Sequence, residues 1–216
     1  MRPFSASATR PLAIAVMVAA LIGIPSPAQA RSLTSPDPRG DMMWIHNPPD
    51  DDDDATPPHI FHPAPGQVNR DIISTRFRHM DSRVRVRITF ADLQRRGTFN
   101  EYDLRVLTNE GQTREAVLYV GPGRWAGEAW TGQFPRDIRC RLHHSIDYAT
   151  NVITIGFARR CLSYPRWVKL GFGTAGGEET EESYFYDDSL KNGLRPLTPD
   201  LWTLSQRIAR GSQSLP

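Results

Sequence analysis

The sequence predicts an all-β chain, an antiparallel β-sandwich of jelly-roll-like or immunoglobulin-like type, with a short C-terminal helix. Two observations carry the sheet prediction. Residues 83–90 (Arg-Val-Arg-Val-Arg-Ile-Thr-Phe) alternate without a fault, so Val84, Val86, Ile88 and Phe90 share one face and Arg83, Arg85, Arg87 and Thr89 the other. A period of two places one face in a core and the other in water. Similar short segments recur through residues 71–190 with turn residues between them and almost no helical periodicity, whereas a parallel sheet would need crossover helices.

The elements follow in chain order. Residues 1–30 read as an export signal: Arg2 and Arg10 precede an apolar run over residues 11–24, Pro25 breaks it, and Ala28-Gln29-Ala30 is a small-x-small cleavage site. The expected product starts at Arg31, and its length suits one domain. Without the two signal arginines, the formal charge falls from +2 to zero, which argues against a nucleic-acid partner. No later apolar run is long enough to cross a bilayer, so the expectation is a secreted, extracellular protein with no transmembrane segment after signal removal.

Residues 31–70 form a Pro- and Asp-rich segment, expected to be weakly structured apart from one short strand at 41–45. Between positions 31 and 59 the local net charge is −5, and over 60–216 it is +5. The sandwich proper is expected over 71–190. Ile73, Thr75, Phe77 and His79 alternate ahead of a connection at 79–82, so this segment pairs with 83–90 as a hairpin. Residues 102–107 and 114–120 flank a turn at 108–112, and Gly121-Pro-Gly123 is another turn. Strands at 125–131, around Ile138, Cys140 and Leu142, around Ile153, Ile155 and Phe157, and at 166–172 and 183–187 complete a set of about eight to ten. The glycine-rich stretch 171–177 lacks the lysine and following helix of a phosphate-binding loop and reads as a flexible connection. In the tail 191–216, Thr198, Pro199 and Asp200 offer a helix cap and first turn, with Leu201, Leu204 and Ile208 on one face.

Cys140 and Cys161 are the two cysteines of the chain, and an oxidising compartment favours their disulfide. If residues 147–151 form the tight end of a hairpin, the bridge clips its open end, which the loop-entropy model values at roughly 3 kcal/mol.

Candidate binding residues fall into three groups. Calcium prefers carboxylate and carbonyl oxygens; the run Asp50–Asp54 lacks the spacing of a calcium loop, whereas Asp187 and Asp188 follow an aromatic strand and would build a structural site if the fold brings Asp41 and Asp71 to them. No cofactor motif is present, and calcium is the one cofactor these acids leave open. Trp125, Trp130, Trp167 and Tyr184 are candidate ligand-binding aromatics for sugar rings or a partner protein, although an unbroken strand would turn Trp125 and Trp130 to opposite faces. The arginine stripe 83, 85, 87, with Arg76, Arg78 and Arg105, offers attraction for an anionic polymer. No catalytic residue is nominated: Ser145, His144 and Asp147 are merely local, the six histidines form no metal-ligand signature, and enzymatic activity is left undecided.

Residues 71–72 with 83–93, the segment 158–168 (Ala-Arg-Arg-Cys-Leu-Ser-Tyr-Pro-Arg-Trp-Val), and Gly40-Asp41 before the first strand resemble a pattern of small secreted β-sandwich proteins of high-GC Gram-positive bacteria. The resemblance spans roughly residues 40–188 and implies an exported sandwich, with no family catalytic residues to carry over. The functional expectation is a secreted, non-catalytic sandwich with an envelope-associated binding or structural role and a cell-envelope polymer or protein as partner. The alternatives are a small secreted hydrolase acting on an extracellular polymer and a calcium-stabilised adhesion or carbohydrate-binding module.

Overall fold

The computed structural model describes residues 32–46, 60–132, 140–177, 183–191 and 202–211. The export segment, the aspartate run 50–54, the glutamates at 178–182 and the capping residues 198–200 lie outside the described residues.

Thirteen strands are present among the described residues: β1 (Ser32–Pro36), β2 (Met43–His46), β3 (Ile60–Pro63), β4 (Ile72–His79), β5 (Arg83–Phe90), β6 (Phe99–Thr108), β7 (Thr113–Val120), β8 (Glu128–Gly132), β9 (His143–Asp147), β10 (Val152–Ala158), β11 (Trp167–Gly177), β12 (Ser183–Asp188) and β13 (Ile208–Ala209). They form two antiparallel sheets. The smaller has the order β1-β4-β5-β10-β9, and the larger has β3-β2-β12-β11-β6-β7-β8, with β13 added beside β11. Inward residues of both sheets build one core: Val84, Val86 and Ile88 of β5 join Leu104 and Val106 of β6 and Leu170 and Phe172 of β11, each at most 1% exposed. No helix among the described residues is long and apolar enough to cross a membrane.

The β4–β5 hairpin, β6, β7 and β10 stand close to where the alternation places them. Several other elements differ. β1 and β3 arise in the Pro-rich segment, because β1 pairs along β4 and β3 along β2, and neighbouring strands supply the order that the local sequence does not. The strand expected around Cys140 starts only at His143, and the one expected from Trp125 starts only at Glu128, after a turn.

The glycine-rich stretch 171–177 is no connection but the buried second half of β11. A Cβ at Gly173 would lie 2.1 Å from the Trp202 ring, so glycine there is the condition for the indole to approach the sheet this closely. That packing also corrects the C-terminal helix. From Trp202 the chain runs irregularly over the outer face of the larger sheet and then forms β13 against Trp167 and Val168. Ser205 N–H donates to Leu170 O at 2.9 Å, and Leu170 N–H donates to Ser205 Oγ at 3.0 Å. An isolated helix this short is marginal in water, and the sheet offers the same backbone groups fixed partners and two apolar seats, for Trp202 and Ile208.

The Cys140–Cys161 disulfide is present. The β9–β10 hairpin turns at residues 148–151, with Val152 opposite Asp147. Cys140 therefore precedes β9, and Cys161 sits in the 3₁₀ turn Arg159–Leu162 after β10. The bridge closes the hairpin's open end from outside the ladder.

Asp103, on the outer face of β6, lies under the C-terminal segment and accepts a hydrogen bond from Trp202, while its Oδ1 is buried without a partner. Burial first, then the charges of Glu101 and Glu115, push it from the ordinary 3.8 up to about 7. A carboxyl whose folded-state pKa is raised contributes fully below the unfolded pKa, and that contribution is lost as pH climbs through the folded value. We expect Asp103→Asn to raise the melting temperature at about pH 8 and to change little near pH 4, flattening the thermal-stability profile between them.

Candidate metal centre

Three chain segments distant in sequence meet at one corner of the sandwich. The turn between β1 and β2 carries the chain from the smaller sheet to the larger and holds Asp37 and Asp41. Asp71 stands just before β4, and Asp187 comes from the end of β12. Gly40 sits in the left-handed region (φ +79°), and its N–H donates to both oxygens of Asp71, at 3.1 and 3.0 Å. Asp37 N–H donates to Ile73 O at 3.1 Å, which ties the same turn to β4.

Strand alternation divides the consecutive aspartates of β12. Tyr186 and Asp188 face outward: Tyr186 meets the Trp202 ring at 6.0 Å, and Asp188 accepts from the N–H groups of Leu190 (3.1 Å) and Thr203 (2.9 Å). Asp187 turns inward and accepts the Ile72 N–H at 2.6 Å. A β-bulge between Ile72 and Ser74 interrupts the β4–β5 ladder at this point, the kind of irregularity that re-aims backbone groups.

One carboxylate oxygen from each of Asp41, Asp71 and Asp187 lies within 4.8 Å of the others. Oxygens that share a calcium ion at 2.3–2.6 Å can be no more than about 5 Å apart. The trio is geometrically compatible with a divalent cation. Asp71 is fully buried, and Asp187 is 5% exposed. An all-oxygen donor set without nitrogen or sulfur suits a hard cation such as calcium better than zinc.

Asp37 adds a fourth carboxylate. It is 7% exposed, and both of its oxygens are buried with no hydrogen-bond partner. Burial, followed by the charges of Asp187, Asp41, Asp188 and Asp71, pushes it up to about 10. Burial raises Asp71 as well, opposed by the Gly40 N–H, and it raises Asp187 well above the usual range. Like charges shut away from water need a counter-charge or a proton; Arg39, in the same turn, offsets the charge of Asp71 only in part, since burial still raises that carboxyl. Asp37 is the residue that sequence reasoning missed. Its segment, Ser-Pro-Asp-Pro-Arg, has no apolar alternation, and only the four-residue spacing to Asp41 around a glycine turn marks it.

The aromatic candidates do not form one surface. Trp125 lies in the turn before β8, partly packed against the core, and its carbonyl accepts the Tyr148 hydroxyl at 2.8 Å. Trp130 stands 51% exposed on β8. Trp167 begins β11 beneath the Arg207 guanidinium, 4.5 Å from its ring centre. Register aligns Trp130 with Val117, Asp103 and Gly173. Trp167 is thus three strands away and six residues along β11, about 20 Å by strand rise alone. Tyr184 pairs through its backbone with Ile45. No known protein family, curated protein or solved structure matches the chain.

With its pKa raised to about 10, Asp37 stays protonated in the fold at pH 8 while the unfolded chain ionises it, a cost that asparagine does not carry. We expect Asp37→Asn, in chelator near pH 8, to melt above the unsubstituted chain. The rise on adding calcium should be smaller in the variant, as measured by differential scanning calorimetry.

Proposed function

We propose that the protein is an exported, non-catalytic β-sandwich with a binding role at the cell envelope, and that a calcium ion joins its N-terminal segment to the sandwich. The observation that carries this reading is the buried corner of Asp41, Asp71 and Asp187, with Asp37 unpartnered beside them. Asp37 and Asp41 belong to the crossing between the sheets, Asp71 precedes a strand of the smaller sheet, and Asp187 ends a strand of the larger. An ion held by all of them ties both sheets and the crossing together. Export supports the choice of ion, since extracellular calcium suffices for weak modular sites, in the 10⁻⁴–10⁻³ M range.

The hydrolase alternative has less support. Ser145 is flanked by His144, which bonds Ala126 O at 3.0 Å, and by Asp147, whose carboxylate accepts the N–H groups of Ala149 and Thr150. His144 and Asp147 are thus engaged with other groups and not with Ser145.

The test is thermal unfolding of the purified chain in calcium and in chelator, without reductant. An ion that binds only the native state adds about 2.7 kcal/mol at a hundred times its dissociation constant. Asp187→Asn retains an acceptor for Ile72 and should lose the calcium response; Asp188→Asn should keep it from a lower baseline. An unchanged melting temperature at millimolar calcium refutes the cation site. The envelope role is measured by co-sedimentation of the chain with isolated cell envelopes, and a fully soluble chain would refute it.

A further inference from the structure

The outward face of the smaller sheet carries a second concentration of charge, of the opposite sign. Arg76, Arg78, Arg83, Arg85 and Arg87 are all exposed. The β4–β5 register sets Arg76 opposite Arg87 and Arg78 opposite Arg85. Directly opposed residues of antiparallel strands point to the same face, where like charges are destabilising. Among the described residues no ion pair joins any of the five: the acidic partners seen elsewhere serve Arg105, Arg124 and Arg210. The acids at the two ends of this face are occupied as well, Asp81 by Arg210 and Asp147 by its own turn.

The face continues as a groove. On β10, Gly156 stands opposite both Arg85 and His143, so no side chain fills the space between them. The resulting cavity, of about 520 Å³, is lined by Arg83, Arg85, Arg160, His143, Ser145 and Thr154 among others. Charged forks on one wall face hydroxyl and imidazole groups on the other. Along β5 successive arginines are spaced at about 6.7 Å, and across strands at about 5 Å.

We propose that this face binds an anionic glycopolymer, one that carries repeated phosphate or sulfate esters on a sugar or polyol backbone. Guanidinium forks pair with tetrahedral oxyanions in a bidentate manner, and a linear polymer with one ester every few ångströms meets several arginines at once. Ser145 and Thr154 offer hydrogen bonds to its neutral hydroxyls. A single-stranded nucleic acid is the weaker match, because such sites stack bases on aromatic rings, and the face presents arginine, threonine, serine and His143. The site stands apart from the carboxylate corner, since Arg78 and Arg85 lie near the far end of the β4–β5 hairpin from Asp71. The two readings therefore fail separately.

Binding is measured by fluorescence anisotropy at physiological salt, in calcium and again in chelator. The probes are labelled poly(glycerol phosphate), dextran sulfate, neutral dextran and single-stranded poly-dT. The site variant combines Arg78→Ser, Arg85→Ser and Arg87→Ser, which relieves opposed like charges and should fold at least as well, with melting temperature as the check. The control combines Arg124→Ser, Arg166→Ser and Arg207→Ser, the same loss of charge at other positions. We expect one or both anionic glycopolymers to bind, the site variant to lose about tenfold or more in affinity and the control to stay within about twofold. A preference between the two polymers identifies the ester. Equal losses in both variants, no binding of either polymer, or tighter binding of poly-dT would overturn the proposal.

Discussion

A β-strand shows its two sides to two environments, and in this molecule that division decides the chemistry as well as the core. On β5 it sends Val84, Val86 and Ile88 into the sandwich and leaves three arginines outside. On β12 it separates two consecutive aspartates, turning Asp187 to the buried corner and Asp188 to the C-terminal segment. On β6 it places Leu104 in the core and Asp103 beneath Trp202. Each case hangs on register, because a slip of one residue would exchange the two sides. The bulge between Ile72 and Ser74 shows the rule being broken locally, beside the point where the Ile72 N–H donates to Asp187.

The parts of the fold legible in the sequence are those where alternation is strong within one segment. β5 and β6 are of that kind, and so is the pairing of β4 with β5, since a short polar connection leaves little choice of partner. Asp41, Asp71 and Asp187 were legible in a different way, as acids beside expected strands whose meeting depended on the fold. Asp37 was not legible, because Ser-Leu-Thr-Ser-Pro becomes β1 only through its ladder to β4. Tertiary pairing also overrode local pattern at the C-terminus. Leu201, Leu204 and Ile208 have helical spacing, but Ile208 is buried as part of β13. The glycines of β11 misled for a related reason: small residues mark close approach as readily as they mark a bend, and here Trp202 makes the approach.

Both sheets gain support from segments outside the central hairpins. The turn holding Asp37 and Asp41 ties β1 to β2, and its hydrogen bonds to Asp71 and Ile73 fasten it to β4. At the other end, His79 binds Ile208 O through its Nδ1 at 3.1 Å, and Gly211 N–H donates to His79 O at 3.0 Å. β4 is therefore anchored at its start by the N-terminal crossing and at its end by the C-terminal segment. Burial lowers the His79 pKa, so the neutral ring suits this second anchor. The first anchor gathers the carboxylates, with Arg39 offsetting Asp71 only in part, and it is where an ion would alter the order of the chain most.

The two charged sites differ in the screening they experience. Exposed arginines interact with a polymer through solvent, and salt shortens the reach of that attraction to about 8 Å at physiological ionic strength and about 3 Å at 1 M. Carboxylates closed into a corner are screened far less, because they are largely withdrawn from the surrounding salt solution. Raising sodium chloride should therefore release an anionic polymer from the smaller sheet while leaving most of the calcium-dependent rise in melting temperature. Parallel loss of both responses would mean that the carboxylates exchange freely with bulk solvent, and the corner would then hold cations only as a diffuse acidic surface does.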